Sequence, residues 1–569
     1  MKRLISCVLA LLYVMAGFAS GTWILHGKEY RVDTLYHAYI GPGTTQTSIK
    51  LAGPVNLRVF YTTTDLKNEN VDVRAIKHKD TLTGLGTVSN AAESHSTSNR
   101  SYFAGINADF FSSSMPCGIT VVDGEVYCSD QASGWSLFGI DANKIPYSGG
   151  GDFYVKLTAP DYSTAELSAM NLERGTNGLV LYSSRKGANT GTDSNGSEVV
   201  LIPDGEGNFL TPGATVRMRV QGNPSHAGSM PDNGYILSGS GTKESFVSNL
   251  SEGDVVEVRC AIRFNGFTGG KIQQALGGCP MLVSGGKVLD TENALDHLTS
   301  AQPRTAVGYN AEKNKLVMLV ADGRSSISVG PISKVLADIM IYAGCSEAMN
   351  FDGGGSSTFY VKGEGVINQP SDGSERSVTD GLYLSTDAPQ NDVTITTIRF
   401  MDYAKTLNQG DAYTPVIYGY NQYGVLVDRN VEGVTLSCGL SLGTITNDGT
   451  TLNASGSGTH MLTAGYGNLT TTLSVTVIGE SGISSVDNSQ ALMIYPNPVE
   501  QGTAVSVDLQ EVSDALLSVC RSDGVLVSRI AVNAGEKSVS FDTSEWDRGM
   551  YILNVIQDKN VKSLKLIVK

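Results

Sequence analysis

One stretch near the middle of the chain shows the clearest alternation of apolar and polar segments. Leu316–Val320 is continuously apolar, as in a buried strand, and Ile332–Ala343 has apolar residues spaced as on one face of a helix. Pro331 suits the first turn of that helix, and Gly344 suits the residue just beyond its C-terminal end. A second short apolar run, Ala348–Phe351, follows. The pattern predicts a strand, a helix and a second strand.

A unit of this length is long enough to connect two neighbouring parallel strands. Asp322 and Asp352 follow the two predicted strands and would then lie at one edge of the sheet, where open α/β sheets bind ligands. We therefore predict an α/β main domain (an α+β mixed sheet), followed by two small all-β sandwich domains.

The rest of the main domain consists of short alternating segments with glycine and asparagine turns, which are typical of strands. Arg100–Phe111 contains an apolar run that ends in Asn107 and Asp109, so polar groups again follow a predicted strand. Ile272–Leu276 suggests a helix. Gly285 lies in a glycine pair that suggests a hairpin turn.

The chain divides into five parts. Residues 1–21 have a basic start, an apolar run and small residues, which predicts a secretory signal peptide. We assign residues 22–386 to the main domain, 387–478 to an immunoglobulin-like β-sandwich, 479–490 to a linker and 491–569 to a further β domain. After the signal peptide, no run approaches the roughly 20 apolar residues of a membrane span.

Composition narrows the possible partners. Charged residues make up only 17% of the 569 residues, and 65 glycines and 24 tyrosines are typical of β-rich extracellular proteins. A net charge of −15 argues against nucleic acid or an anionic membrane as the main partner, so a phosphate or an acidic sugar would need a local basic pocket.

The cysteines predict neither a metal site nor a full disulfide framework. Seven remain after the signal peptide, an odd number, and none lies in a CxxC pair. Counting from the turn at Asp123 places Cys117 and Cys128 diagonally across a hairpin, which permits but does not favour a bridge. We expect no cofactor and no metal. An ion bridging Asp109, Asp322 and Asp352 is conceivable, but no metal-ligand spacing supports it.

The glycine-rich turn after Asp352 is the strongest candidate site. Gly353, Gly354 and Gly355 exceed the one or two glycines that a simple turn needs. Backbone N–H groups that approach an anion closely would explain the excess. Asp322 has a plainer alternative, because Asp-Gly is a common turn dipeptide.

Arg304 begins a run that looks buried, and a buried arginine is rare unless it is paired with an anion. Its partner could be Asp322 or Asp352, or the phosphate or carboxylate of a ligand. His297 is an alternative acid/base group, although a structural role fits it better.

Several motifs together resemble the phosphodiester glycosidase family, in family order over residues 95–386. The motifs are Asn107-Ala-Asp-Phe-Phe111, Gly277-Gly-Cys-Pro-Met-Leu-Val283, Pro303-Arg-Thr-Ala-Val-Gly308, Val320-Ala-Asp-Gly-Arg324 and Asn350-Phe-Asp-Gly-Gly-Gly-Ser-Ser357. The final segment, from Tyr495-Pro-Asn-Pro498 to Lys569, resembles a type IX secretion sorting domain. The first resemblance implies an α/β domain whose ligand site lies around these motifs.

The resemblance also implies hydrolysis of a sugar-1-phosphodiester to a free sugar and a phosphomonoester. Asp352 would then act at the anomeric carbon, and Asp322 would activate water or orient an arginine. Arg304 and Arg324 would hold the phosphate. The remaining predicted substrate contacts are Asn107 and Asp109 for sugar hydroxyls, and Gly353, Gly354, Gly355 and Ser356 for the phosphate.

Two other functions remain open. The protein could be an ordinary glycosidase or a lyase that acts on exported polysaccharide, or a non-catalytic glycan-binding surface protein. In each case the expected partners are a carbohydrate or sugar-phosphate and the type IX secretion machinery. The expected location is the exterior or the cell surface, reached through the periplasm and the outer membrane.

Overall fold

The computed structural model describes residues 21–569, apart from ten short gaps. The gaps are residues 131–134, 206–208, 226–228, 266, 269, 291–298, 480–492, 510–514, 522–525 and 558–559. Three predictions therefore lie outside the described residues. They are the signal peptide (all but Gly21), His297, and the linker (all but its first residue).

Strands dominate the structure, at 52% of residues against 6% in helices. The predicted α/β class of the main domain is therefore wrong. The error came from extending one strand–helix–strand unit to the whole domain. Across the described residues only three α-helices occur, α1 Val88–Ser94, α2 Glu244–Ser248 and α3 Ser333–Tyr342.

The strands up to residue 386 fall into three consecutive groups. The first group is β1 Gly21–Leu25, β2 Lys28–Gly41, β3 Thr44–Ala52, β4 Asn56–Asp65, β5 Asp72–Lys77, β6 Ser101–Asn107, β7 Phe111–Ser112, β8 Met115–Pro116, β9 Thr120–Val122 and β10 Glu125–Cys128. The second group is β11 Ser136–Asp141, β12 Pro146–Thr158, β13 Thr164–Glu166, β14 Ala169–Met170, β15 Leu179–Tyr182, β16 Ser197–Pro203, β17 Thr215–Ser225, β18 Tyr235–Gly239, β19 Val255–Phe264, β20 Phe267–Thr268 and β21 Ile272–Gly278. The third group is β22 Met281–Ser284, β23 Lys287–Val288, β24 Arg304–Tyr309, β25 Lys315–Ala321, β26 Glu347–Asn350, β27 Phe359–Val361, β28 Gly365–Val366 and β29 Asp380–Thr386.

A nine-stranded antiparallel sheet forms the centre, in the order β1-β2-β3-β4-β25-β24-β26-β22-β23. Strand β25 is apolar from Leu316 to Ala321 because both of its faces are buried there. Leu316, Met318 and Val320 face the core shared with a second sheet, whereas Val317 and Leu319 face the core that contains α3. The predicted elements β25, α3 and β26 are therefore present, but α3 connects strands that are not neighbours, because β24 lies between them.

The second sheet has five antiparallel strands in the order β28-β27-β6-β29-β5. Strand β6 pairs with β27 and β29, which follow it by more than 250 residues: Gly105 lies opposite Tyr360 on one side and Tyr383 on the other. The core between this sheet and the nine-stranded sheet is the apolar layer on which the candidate site rests.

The segment between β9 and β21 builds a thirteen-stranded sheet with its own apolar core. Ile272–Leu276, which suggested a helix, is part of strand β21, because this sheet buries it between β9 and β11. The chain enters and leaves this region at adjacent points: a Cβ added to Gly118 would lie 2.6 Å from Cα of Gly277. The predicted hairpin at Gly285 is confirmed by the pairing of β22 with β23.

Residues 397–478 form three small sheets around a separate core. Their strands are β30 Thr397–Phe400, β31 Ala404–Asn408, β32 Ala412–Tyr413, β33 Ile417–Tyr420, β34 Leu426–Asp428, β35 Thr435–Cys438, β36 Gly443–Ile445, β37 Leu452–Ala454, β38 Gly458–Tyr466 and β39 Leu469–Ile478. This region, which we call the 397–478 module, belongs to the same compact unit as the main domain. Its immunoglobulin-like character stays a prediction.

A second compact unit begins at Ile478 and contains two sheets with one apolar core. Its strands are β40 Met493–Tyr495, β41 Ala504–Asp508, β42 Ala515–Arg521, β43 Leu526–Val532, β44 Ser538–Asp542, β45 Gly549–Gln557 and β46 Asn560–Val568. In the part of the chain that the structure describes, no helix has the length and apolar character needed to cross a membrane. Among the same residues all seven cysteines, Cys117 and Cys128 included, are free thiols.

Candidate active site

Three predicted site residues meet at one edge of the nine-stranded sheet. Asp322 follows the end of β25, Asp352 follows the end of β26 by two residues, and Arg304 begins β24 between them. Because β24 runs antiparallel to both neighbours, its start lies at the edge where the other two strands end. With one strand between them, the backbones at the two aspartates are roughly 9–10 Å apart.

The glycine turn after Asp352 is fixed to the start of β24. The Gly354 N–H donates a 2.9 Å hydrogen bond to the carbonyl of Pro303, and Gly354 has the left-handed φ of +62° that favours glycine. A Cβ on Gly354 would lie 3.0 Å from Nη2 of Arg324, and a Cβ on Gly355 would collide with the Arg376 guanidinium. The glycines therefore allow two arginines to approach the turn closely.

Arg376, which the sequence analysis did not single out, flanks this turn together with Arg324. Its Nε and Nη2 both donate to the Asp372 carboxylate, at 2.8 and 2.6 Å, and its Nη1 donates to Oγ of Ser356 at 3.4 Å. Arg324 Nη1 lies 4.0 Å from the same Asp372 carboxylate, and its Nε donates to Gln302 at 2.7 Å. Both guanidinium groups are partly exposed, with 40% and 46% of their side chains accessible.

The Asp352 side chain is half-buried beside these arginines. Burial raises the pKa of Asp352 to about 6, and the nearby charge of Asp380 acts in the same direction. A hydrogen bond from Ser356 and the charge of Arg376 oppose the rise in this pKa. A carboxyl group that titrates near neutral pH can exchange protons during a reaction, which is the property expected of an acid/base residue.

Asn107 holds the backbone of the turn and has no exposed surface. Its Nδ2 donates to the carbonyl of Asp352 at 2.7 Å, and its Oδ1 accepts from Oγ1 of Thr305 at 2.8 Å and from the N–H of Thr358 at 3.1 Å. Asn107 therefore helps to position Asp352, and its side-chain amide is already hydrogen-bonded to groups inside the protein.

Asp109 is also buried, and it faces a second carboxyl group. Its backbone N–H donates to Asp380 at 2.9 Å, and its Oδ2 accepts from the Gly118 N–H at 2.8 Å. Its Oδ1 has no hydrogen-bond partner among the described residues. Burial, followed by the charge of Asp380, raises the pKa of Asp109 well above its usual value. A Cβ on Gly277 would lie 2.6 Å from Oδ2 of Asp109, so glycine is needed there.

Lys77 and Asp380 are buried ionisable residues that sequence reasoning missed. Nζ of Lys77 donates to the carbonyl of Thr379 at 3.1 Å, and burial lowers the pKa of Lys77 while the charge of Asp380 opposes that change. Burial raises the pKa of Asp380, and the charge of Lys77 counteracts it. Neither residue has a local signal in the sequence, because each is defined by what tertiary packing brings next to it.

Asp322 and Arg304 make their described contacts with backbone and amide groups. Oδ1 of Asp322 accepts from the N–H of Gln369 at 2.9 Å and from Nδ2 of Asn368 at 3.4 Å, and burial raises the pKa of Asp322. Nη2 of Arg304 donates to the carbonyl of Ser300 at 2.8 Å. Burial, followed by the charge of Arg324, lowers the pKa of Arg304 to about 10.

Phe110 and Trp135 form an aromatic pair next to Asp109. Phe110 directly follows Asp109, and its ring meets that of Trp135 edge-on, with the ring centroids 5.0 Å apart. Both side chains are half-buried and so present part of their surface to solvent.

The described residues contain no group of three or more His, Cys, Asp or Glu side chains that could hold a metal ion. The arrangement of Asp352, the glycine turn and the arginines instead combines an acid/base carboxyl with cationic groups for an anion. This combination defines a candidate hydrolase site for a substrate that carries a negative charge.

The comparisons with known proteins identify two regions of the chain. Residues 206–385 match the family described as phosphodiester glycosidase, and residues 493–569 match the secretion system C-terminal sorting domain. Both resemblances recognised from the sequence motifs are thereby confirmed. The sorting domain directs the protein to the cell surface or the exterior by type IX secretion.

One curated relative is the SPbeta prophage-derived uncharacterized protein YomE of Bacillus subtilis (strain 168), 40% identical over 88 residues. These residues are 16% of this chain and 13% of the relative, so the chain spans only about an eighth of that protein.

Three solved structures show a loose likeness, each with a TM-score below 0.5. A putative exported protein from Burkholderia pseudomallei K96243 has a TM-score of 0.48 at 17% identity, covering 65% of this chain and 99% of that one. A hypothetical protein from Synechocystis has a TM-score of 0.47 at 15% identity, covering 60% and 62%. The catalytic domain of zebrafish N-acetylglucosamine-1-phosphodiester alpha-N-acetylglucosaminidase, auto-inhibited by its pro-peptide, has a TM-score of 0.32 at 12% identity, covering 62% and 87%.

Proposed function

We propose that this protein is a secreted phosphodiester glycosidase that hydrolyses a sugar-1-phosphodiester to a free sugar and a phosphomonoester. The observation that carries the proposal is the half-buried Asp352 carboxyl, whose pKa burial raises to about 6, beside a glycine turn flanked by Arg324 and Arg376. The family match over residues 206–385 supports the same reaction class.

The reaction breaks the bond between the anomeric carbon and the phosphate oxygen. The bonding electron pair leaves with the phosphate, the oxygen of water becomes bonded to the anomeric carbon, and a base takes up the proton of the water. Positive charge develops on the sugar ring in the transition state, which calls for a nearby carboxylate. Asp352, when ionised, serves this carbon as nucleophile, base or stabilising charge.

The arginines suit the leaving group. A phosphomonoester leaves as a stable anion, so it needs cationic and N–H donors more than it needs a strong acid. Arg324 and Arg376 are partly exposed and lie against the glycine turn, where they can donate to phosphate oxygens. Arg304 is buried behind them and acts by shaping this edge of the sheet.

The buried residues act by positioning. Asn107 supports the backbone of Asp352, and Asp109 holds the Gly118 N–H and the Asp380 carboxyl group in place. Asp322 fixes the segment at Gln369, from which the chain leads to Arg376. On this proposal the exposed edges of Phe110 and Trp135 contact the apolar face of the sugar.

The test uses the full chain and a panel of α- and β-linked sugar-1-phosphodiesters. We expect free sugar to be released from at least one member, and inorganic phosphate to appear only after a phosphatase is added. Asp352→Asn should lower the turnover number by on the order of 10²–10⁴-fold, with little change in melting temperature. Asp161→Asn, at an exposed aspartate in the turn between β12 and β13, is the matched control and should retain full activity.

Two results would contradict the proposal. Unchanged turnover in Asp352→Asn would remove Asp352 from the chemistry. If folded wild-type protein releases no sugar from any member of the panel, the result would favour action on exported polysaccharide, or glycan binding without catalysis.

A further inference from the structure

A cavity of about 320 Å³ lies where the main domain meets the 397–478 module. One wall comes from the β2–β3 hairpin and the loop after β4, and the other wall comes from β30 and the turn after β33. The lining includes Tyr39, Asn68, Asn70, Arg399, Tyr420 and Tyr423. Ligand sites are often found at such junctions, in cavities of about 300–1,000 Å³.

The two walls are held together by direct contacts. The Tyr420 hydroxyl donates a 2.8 Å hydrogen bond to the carbonyl of Tyr39, and the Arg399 guanidinium lies 4.3 Å from the centre of the Tyr39 ring. A small apolar cluster that includes Ala38 and Tyr418 is buried beside the cavity. The cavity is therefore a formed feature of one compact unit, and both of its walls are fixed before any ligand arrives.

The lining has an unusual chemistry for this acidic protein. It contains three tyrosines, four carboxamides and one arginine, and the described lining includes no aspartate, glutamate or lysine. Tyrosine offers a rigid ring with a polar edge, and carboxamides both donate and accept hydrogen bonds. Hydroxyl groups on a sugar ring also donate and accept, and the axial C–H face of the ring stacks on aromatic side chains.

Several of these groups are available to a ligand. The side-chain amide of Asn70 forms no hydrogen bond with any described residue, and Asn68 uses only its Oδ1, which accepts from the N–H of Asn70 at 2.9 Å. The Tyr39 side chain is 38% exposed. Asn421 and Gln422, in contrast, already have partners: Asn421 accepts from the N–H of Tyr423, and Gln422 donates to Asp392, just before the module.

We propose that this cavity is a carbohydrate-binding site, separate from the candidate active site and built jointly by the main domain and the 397–478 module. Its ligand is a pyranose unit of a glycan chain. The ring stacks on the face of Tyr39 that Arg399 does not cover, its hydroxyls bond to the amides of Asn68 and Asn70, and Arg399 donates to a ring hydroxyl or a ring carboxylate. The module then contributes to glycan binding and is more than a spacer.

The experiment measures saturation-transfer NMR of monosaccharides with the full chain. The probes are glucose, galactose and mannose as neutral sugars, and glucuronate as the acidic sugar, each at millimolar concentration. We expect transfer to at least one probe and a loss of affinity of about tenfold or more in Tyr39→Ala and in Asn70→Ala. Tyr162→Ala, at a tyrosine 87% exposed in the main domain, is the control and should bind as the wild type does.

The variants also separate this site from the active site. Because Tyr39 and Asn70 lie in the cavity and not in the hydrolytic site, both variants should release sugar from a small phosphodiester at the wild-type rate. If only glucuronate binds, Arg399 donates to the carboxylate of the sugar. If a neutral sugar binds, Arg399 donates to a ring hydroxyl. The proposal is overturned if no probe binds, or if both cavity variants bind as the wild type does while remaining folded.

Discussion

The side-chain amide of Asn107 donates a 2.7 Å hydrogen bond to the backbone carbonyl of Asp352, a residue 245 positions further along the chain. The same side chain accepts hydrogen bonds from Thr305 and Thr358, so one buried amide connects β6, β24 and the glycine turn. The position of the candidate catalytic carboxyl therefore depends on a residue that need not touch the substrate.

Asn107→Ala should lower both stability and activity. The substitution leaves buried partners at Thr305, Thr358 and Asp352 without their hydrogen bonds, and each such loss costs about 1–3 kcal/mol. Chemical denaturation should show a fall of about 2 kcal/mol or more in the free energy of unfolding, with a matching drop in turnover number. Asn90→Ala, at an exposed asparagine on α1, is the control and should change neither quantity. Full activity in Asn107→Ala would show that the turn does not need this support.

Activity should rise with pH through about 6. The pKa of Asp352 is raised to about 6, mainly by burial, so the group is protonated below that pH and ionised above it. Because the proposed roles of Asp352 require the carboxylate, kcat/KM should show an acidic limb centred near pH 6. An activity that falls through this range would mean that the protonated form is the active one.

Asp380→Asn should move that limb to lower pH. The charge of Asp380 raises the pKa of Asp352, so its removal makes ionisation of Asp352 easier. The asparagine can still accept the 2.9 Å hydrogen bond from the N–H of Asp109, which keeps the local geometry. The pH profile of kcat/KM measures the shift, and Asp161→Asn is the control whose profile should not shift. An acidic limb that moves to higher pH in Asp380→Asn would contradict the electrostatic coupling.

Arg376→Ala should weaken the use of phosphodiester substrates. Hydrogen bonds to a charged group contribute about 1.5–3 kcal/mol, which corresponds to a fall in kcat/KM of roughly 10–150-fold. Arg376→Lys keeps the charge but loses the two-pronged geometry, so it should recover only part of this loss. Arg31→Ala, at a 65% exposed arginine that is also ion-paired, should have no effect. Wild-type kinetics in Arg376→Ala would exclude this arginine from phosphate binding.

Gly355→Ala should lower activity through the arginine and not through backbone strain. Gly355 has no left-handed φ, but an added Cβ would collide with the side chains of Arg376 and Asp372 and displace them from the turn. Gly175→Ala is the matched control, because Gly175 also has no left-handed φ and an added Cβ there meets nothing within 4 Å. Steady-state kinetics should show a raised KM for Gly355→Ala alone, and equal kinetics in the two variants would contradict the steric argument.

The sequence predicted the local elements of the site better than their arrangement. Strand β25 produced a continuous apolar run because both of its faces are buried, and helix α3 produced a helical spacing because one face is buried. The sequence did not predict that β24 lies between β25 and β26. Strand pairing is non-local, so it produces no periodic pattern in the sequence. The two aspartates nevertheless share an edge, because β24 reverses direction between their strands.

The electrostatics of the site could not be read from the sequence. Lys77 and Asp380 lie about 300 residues apart and act on each other only because β5 and β29 are adjacent in the second sheet. Arg376 lies in a polar loop that resembles an ordinary surface segment. What distinguishes it is its contact with the glycine turn, and that contact exists only in the folded chain.

The pairing of β6 with strands more than 250 residues away also determines when the protein can become active. Closing so long a loop is entropically costly, and domains with many such contacts fold slowly. Strand β29 carries Asp380 and completes the sheet only when the chain is available to Thr386. A partly synthesised or partly exported chain therefore lacks an assembled site, and this topology delays any catalysis until almost the whole main domain has reached one compartment.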